Sequence, residues 1–270
     1  MTAPAVAMTA EEYHANPALS SGTVRTLLRR SPAHALWERQ HPIEPTPQMQ
    51  LGTAFHTEVL GVGQAYEVCQ YEDRRTKAAQ DEVAKFRALG MIPLRPSENT
   101  QLHCMAEAVR EHPLAGPLLA DGEAERMVFW EDEKTGVQCR AMLDFLPANG
   151  RSIVDLKSTG DLSPASVGKL FASHGYPMQA AWYRRAAIAA GIGDLPFVFV
   201  LVDRDPPHPV VVATVDPDDL AWAGEQCDRA CEIWRDCTAS GLWPGYPTEP
   251  ISVRMPGWAR RDYDTLEETW

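Results

Sequence analysis

The stretch Arg151–Asp161, RSIVDLKSTGD, decides how this chain reads. Ser152-Ile153-Val154 predicts a short buried strand, and it runs directly into Asp155-Leu156-Lys157. Side chains alternate along a strand, so Asp155 and Lys157 share one face while Leu156 points to the other. A carboxylate and an ammonium closing an apolar strand form either a solvated salt bridge or part of a cation site.

The preceding run, Gln138–Leu146, also has strand character, and Asn149-Gly150 lies between the two. Asn-Gly is the strongest short hairpin signal, because a type I′ turn needs positive φ at both central residues. A two-residue turn there pairs positions whose numbers add to 299, which sets Asp144 opposite Asp155. Their Cβ atoms would then lie roughly 5 Å apart. Two carboxylates at that distance repel by about 3 kcal/mol at an effective dielectric near 20, so a cation or a proton must join them. Pro147 beside the turn donates no ladder hydrogen bond and weakens the register argument.

The remaining pattern gives an α/β chain with a mixed sheet. Helices are expected over Gly22–Arg30, from Ala33 through Trp37, and over Gln48–Gly61, Thr76–Leu89 and Ser97–Glu111. The period then changes. Ala124–Glu131, Val137–Leu146 and Ser152–Lys157 read as three strands of an antiparallel meander. Helices at Ser163–His174 and Pro177–Ala190, strands at Pro196–Val202 and Pro209–Val215, and a long helix from Pro217 to Ser240 complete the order β-β-β-α-α-β-β-α. The organisation is an N-terminal helical region (1–115), a core (116–245) and a tail (246–270), with residues 1–10 as a loose leader. In the helix Gln48–Gly61, Gly52, His56 and Leu60 share a face. A glycine costs a helix about 1 kcal/mol, so something is expected to approach closely there. A lone helical histidine such as His56 is usually a satisfied polar group, and a ligand only with further context.

With 270 residues, 44% hydrophobic and 23% charged, the chain can bury a substantial core. It shows no signal peptide and no apolar run long enough for a bilayer, so it is placed in the cytoplasm without membrane contact. The net charge of −12 excludes a general nucleic-acid coat but not a local basic groove. Arg29-Arg30, Arg74-Arg75 with Lys77, Lys169 and Arg184-Arg185 are the candidates for one, although any single pair reads more readily as a solvated helix face. Cys69, Cys104, Cys139, Cys227, Cys231 and Cys237 include no C-x-x-C pair.

Taken in order, Gly52-x3-His56, Asp144, Asp155-x-Lys157 and Gln179-x3-Tyr183 resemble the PD-(D/E)xK nuclease superfamily in its RecB-like branch. The string YHANPALSSGTVRTLLRRSPAH and the later WPGYP further resemble RecE-type exonucleases (exodeoxyribonuclease VIII). The resemblance spans roughly residues 11–247, and four motifs in order are far more specific than D-x-K alone. It implies a restriction-endonuclease-like core and a magnesium-dependent exonuclease that degrades linear double-stranded DNA 5′ to 3′ in recombination. It also implies a ring-shaped homo-oligomer and a single-strand annealing protein as partner. Residue by residue, it makes Asp144, Asp155 and the Leu156 carbonyl metal ligands, with His56 a further ligand or an orienting group. Lys157 would place the attacking water, and Gln179 and Tyr183 would shape the site. Arg74, Arg75, Lys77 and Arg184 are the DNA-binding candidates. Manganese is expected to substitute for magnesium. Ala141-Met142-Leu143 stands before Asp144 where many members carry Pro-Asp.

Three alternatives remain at this point. Cys227-x3-Cys231-x5-Cys237 echoes the iron–sulfur members of the branch, but it lacks their C-x2-C, and small buried thiols on a helix face are the simpler account. An inactive nuclease fold used for DNA binding or assembly is disfavoured by the complete D…D-x-K set. An endonuclease is not separated from an exonuclease by sequence.

Overall fold

The computed structural model describes residues 8–257. The expected leader (1–10) and the expected tail (246–270) therefore lie partly outside the described residues. Four helices open the chain: α1 (Ala10–Ala15), α2 (Ser21–Arg29), α3 (Pro32–Gln40) and α4 (Pro47–Leu60). Each begins on a hydroxyl that accepts a backbone N–H at the first turn: Thr9, Ser20, Ser31 and Thr46. Proline at the first turn of α3 and α4 removes a donor that would have no helical partner. Gly61, with φ of 74°, ends α4 in the left-handed region.

Next come β1 (Tyr66–Val68), α5 (Lys77–Ala88), β2 (Ile92–Leu94), α6 (Pro96–Glu111) and α7 (Ala115–Leu119). The strands β1 and β2 pair in parallel as a small separate sheet. Three-residue strands carry too little periodicity to be seen in sequence. Helix α1 likewise begins within the stretch expected to be a loose leader, held by a reciprocal capping box between Thr9 and Glu12.

The main sheet holds β3 (Gly122–Glu131), β4 (Gln138–Pro147), β5 (Ile153–Thr159), β6 (Phe197–Asp203) and β7 (Val210–Thr214), in the order β3-β4-β5-β6-β7. β5 and β6 run parallel, and α8 (Val167–His174) and α9 (Tyr176–Ala189) make the crossover between them. The other neighbours are antiparallel. Helix α10 (Pro217–Ser240) closes the order expected from sequence.

Two apolar cores flank the sheet. The first joins Val24, Leu27, Ile153, Trp182, Phe199, Leu201 and Cys231, bringing α2, α9 and α10 onto one face. The second joins Phe55, Leu102, Met105, Val154, Leu156, Val200 and Val202, bringing α4 and α6 onto the other. β5 is therefore buried on both faces, which explains its unbroken apolar start.

The hairpin carries a correction. Gly150 takes φ of 63°, but Asn149 does not have positive φ, so the turn is not type I′. Gly150 N–H donates to the Pro147 carbonyl at 2.9 Å, and Asn149 Oδ1 accepts from Arg151 N–H at 3.0 Å. The connection runs from Ala148 to Ser152 and is closed by a turn that starts on Pro147, with four residues between Pro147 and Ser152. The register survives the change, because Phe145 pairs with Val154, and those numbers also add to 299. An even loop length preserves which residues face each other.

β4 and β5 separate beyond that pair. The alternation of β4 also breaks: Cys139, Ala141 and Leu143 enter the first core and Phe145 the second. Across from Asp144, the β3 pairing steps from Ala124 to Arg126 over Glu125, whose φ is +51°. A left-handed non-glycine residue costs on the order of 1 kcal/mol, and it marks the place where both strands bend.

Gly52 faces β5. A Cβ added there would lie 3.6 Å from Ser158 Oγ, an ordinary contact. Gly52→Ala should fold normally and raise the melting temperature, gaining up to about 1 kcal/mol of helix propensity. Gly122→Ala should do the opposite, because its Cβ would run into the Leu146 carbonyl and the Phe145 ring. Thermal unfolding followed by circular dichroism checks both.

Candidate active site

The separation of β4 from β5 leaves the Leu156 peptide without a ladder partner on that side. Its N–H donates instead to Asp144 Oδ2 at 3.0 Å. The N–H and C=O of one strand residue point to the same side, so the Leu156 carbonyl opens into the same gap. There it meets the His56 ring, brought in by α4 across the second core. His56 Nδ1 lies 3.7 Å from Asp144 Oδ2.

Asp155 is fully buried. Its Oδ1 accepts from Gln179 Nε2 at 2.7 Å, and its Oδ2 lies 2.5 Å from Lys157 Nζ. That Oδ2 has no partner in hydrogen-bond geometry among the described residues. Lys157 Nζ in turn stands 6.0 Å from the centre of the Tyr176 ring. Tyr183, one helical turn beyond Gln179, packs edge-on to Phe197 at 5.8 Å. The structure thus brings together His56, Asp144, Asp155, Leu156, Lys157, Gln179 and Tyr183.

The charges do not balance within this group. Burial and the neighbouring Asp144 push the Asp155 pKa up to about 7, against the pull of Lys157. Burial also raises Asp144, with Lys157 and the Leu156 N–H pulling the other way. Burial opposes the charge on Lys157, but Asp155 and Asp144 outweigh it and hold the ammonium protonated. Burial, with Lys157 second, drops His56 to about 4, so its imidazole is neutral at pH 7. Burial and the two carboxylates raise Tyr183 to about 12.

The sequence pattern of the PDDEXK-like domains of unknown function, DUF3799, matches residues 20–253. The chain belongs to that family. A crystal structure from Eubacterium rectale named "Putative exonuclease" shares the fold of this PDDEXK-like domain, with a TM-score of 0.66 at 13% identity. The similarity covers 93% of this chain and 97% of that one. No curated protein matches the chain. The superfamily resemblance and the mixed α/β fold read from the sequence are thereby established.

PDDEXK-like domains are associated with divalent metals, and the donor set here fits one. Asp144, Asp155 and the Leu156 carbonyl offer oxygens suited to a hard cation, and neutral His56 adds a nitrogen. The buried Oδ2 of Asp155, met by the Lys157 ammonium without hydrogen-bond geometry, and the excess negative charge are what a cation would satisfy. Among the described residues, no three His, Cys, Asp or Glu side chains converge as a ready metal cage, so a backbone carbonyl is needed to complete the set.

The basic candidates lie apart from this cluster. Arg74 Nη2 donates to the Pro93 carbonyl at 2.7 Å and faces Glu98, tying β2 to α6. Arg75 is exposed and clasps Asp73, Lys77 pairs with Asp81, and Arg184 pairs with Asp194 at 2.5 Å. Cys227, Cys231 and Cys139 are free buried thiols of the first core, and the Cys139 thiol donates to the Val137 carbonyl. Two site residues escaped the sequence reading. Tyr176 could have been found from its position one turn before Gln179. Glu125, which faces Asp144 and has its pKa raised by burial, could have been found only from the β3–β4 register.

Two expectations follow. Gln179→Ala should leave the fold intact and weaken divalent-cation affinity about 10–100-fold, measured by manganese titration calorimetry, because it frees the Asp155 carboxylate to turn. The second concerns pH. Asp155 has a raised folded pKa, so its buried protonated form stabilises the chain at low pH, and that contribution is lost as pH rises through about 7. A bound cation must expel this proton, so apparent affinity should fall about tenfold per pH unit below 7. The magnesium-induced rise in melting temperature should therefore grow from pH 5.5 to pH 8, and Asp155→Asn should abolish that growth.

Proposed function

We propose that this chain is a metal-dependent nuclease that hydrolyses phosphodiester bonds of linear double-stranded DNA from its ends, 5′ to 3′, with magnesium or manganese as cofactor. The observation that carries the reading is the convergence of Asp144 and Asp155 on the Leu156 peptide, with the Lys157 ammonium 2.5 Å from Asp155. The neighbour named as an exonuclease, similar over nearly its whole length, supports the exonucleolytic part. A role in recombination, a ring-shaped oligomer and an annealing partner extend the same reading.

A bound divalent cation would supply Lewis acidity toward the scissile phosphate and lower the pKa of the attacking water. The chain's own groups do the rest. Asp144, Asp155, the Leu156 carbonyl and His56 would hold the cation. Gln179 fixes the plane of the Asp155 carboxylate. Lys157 remains an ammonium, so it donates to the water and to the charge developing on phosphorus, and does not act as the base. Tyr176 and Tyr183 wall the site and keep bulk water from the carboxylates.

One assay tests the reading: linear and covalently closed circular DNA compared in magnesium, in manganese and in EDTA. The linear form should be degraded in either metal, the circle should persist, and EDTA should stop the reaction. Lys157→Ala should lower the rate about 10²–10³-fold. No metal-dependent cleavage by the wild type, or equal cleavage by Lys157→Ala, overturns the mechanism. A cut circle makes the enzyme an endonuclease.

A further inference from the structure

With a net charge of −12, the chain needs a local place for a DNA backbone to settle. A cavity of about 550 Å³ opens between α1, α2, α3 and the start of β4. Its walls carry Arg25, Arg39 and Arg140, with His14 and Asn16, and one acid, Glu38. Glu38 is already engaged by Arg30 and by the Thr26 hydroxyl. None of the three cavity arginines has a carboxylate partner among the described residues.

Arg140 is the most telling. Its backbone is pinned on both sides: its N–H donates to the Leu19 carbonyl, and its carbonyl accepts the Trp182 indole N–H at 2.9 Å. Its guanidinium lies 4.7 Å over the Tyr13 ring and gives one N–H to the His14 carbonyl at 3.2 Å. Nε and Nη1 are buried and have no partner among the described residues. A half-buried guanidinium with covered, idle donors is costly unless an anion meets it. Arg39 stands close enough to repel it, and its own guanidinium is held 4.9 Å over the Trp234 ring. Two fixed, unpaired guanidiniums around one cavity suit a group with several acceptor oxygens, and the planar fork matches phosphate.

We infer that this cavity binds a phosphate group of a nucleic-acid strand, with Arg140 as principal donor and Arg39 and Arg25 beside it. The anion chemistry stands on the cavity itself, whereas the choice of nucleic acid rests on the proposed nuclease function. Arg140 and Asp144 lie on the same strand, roughly 13 Å apart along it. A strand held here would be anchored a short distance from the bond to be cut.

The test is fluorescence anisotropy of the full chain with a short labelled duplex in EDTA, across a salt series. Arg140→Gln and Arg39→Gln should each bind about tenfold more weakly, with a salt slope reduced by about one per lost contact. Circular dichroism melts establish folding, and should Arg140→Gln fail to fold, Arg39→Gln decides. Duplexes with a 5′-phosphate or a 5′-hydroxyl separate a terminal phosphate from an internal one, and a loss with either supports the site. Wild-type affinity and salt slope in the folded variants, or no binding by the wild type, overturns it. Arg140-dependent binding without any cleavage would defeat the nuclease reading and keep this one. Normal cleavage with unaffected variants would do the reverse.

Discussion

Everything at the centre of this molecule depends on one hydrogen bond made to an unusual partner. The Leu156 N–H goes to the Asp144 carboxylate and not to a backbone carbonyl of β4. A buried N–H must be paired, so once the two strands separate beyond Phe145 and Val154, a side chain has to take over the ladder. That substitution draws Asp144 into the gap and turns one peptide into a platform. His56 approaches the carbonyl of that peptide, Asp155 and Lys157 flank it in sequence, and α9 lays Gln179 across the top.

The electrostatics follow from the same arrangement. One ammonium faces two buried carboxylates, since His56 is neutral at pH 7. Burial in a low-dielectric region makes the surplus charge costly, which is why the pKa of Asp155 rises to about 7 although Lys157 is in contact with it. Lys157 acts as an internal counter-ion that keeps the cluster assembled. It cannot fully neutralise the cluster, and that remaining deficit is what favours a cation.

Much of this was legible in the sequence, for identifiable reasons. The strand order and the meeting of Asp144 with Asp155 followed from hydrophobic period and loop parity, both local properties. Gln179 and Tyr183 came from the family resemblance, and their spacing of one helical turn put them on one face. The turn type was misread because Asn-Gly favours type I′ in isolation, whereas Pro147 starts the actual turn one step earlier. Glu125 was invisible because its role comes from a left-handed kink opposite Asp144, and no residue type at that position announces it. The Arg140 cavity was equally hidden: α1, α2 and β4 are far apart in sequence and meet there through the bridge of Leu19 with Cys139 and the contacts of Arg140 with Tyr13 and His14. The arginine pairs that stand out in the sequence are, in the fold, mostly matched to nearby acids.

The even count of residues between Pro147 and Ser152, at the tip of the β4–β5 hairpin, constrains how this protein can vary over evolutionary time. Gaining or losing one residue there would rotate β5 by half a period and send Asp155 and Lys157 into the opposite core, replacing them with Leu156. Gaining or losing two would leave the partners unchanged. Insertions and deletions at this tip are therefore filtered by parity, and the spacing between the two acids is free to drift only in even steps.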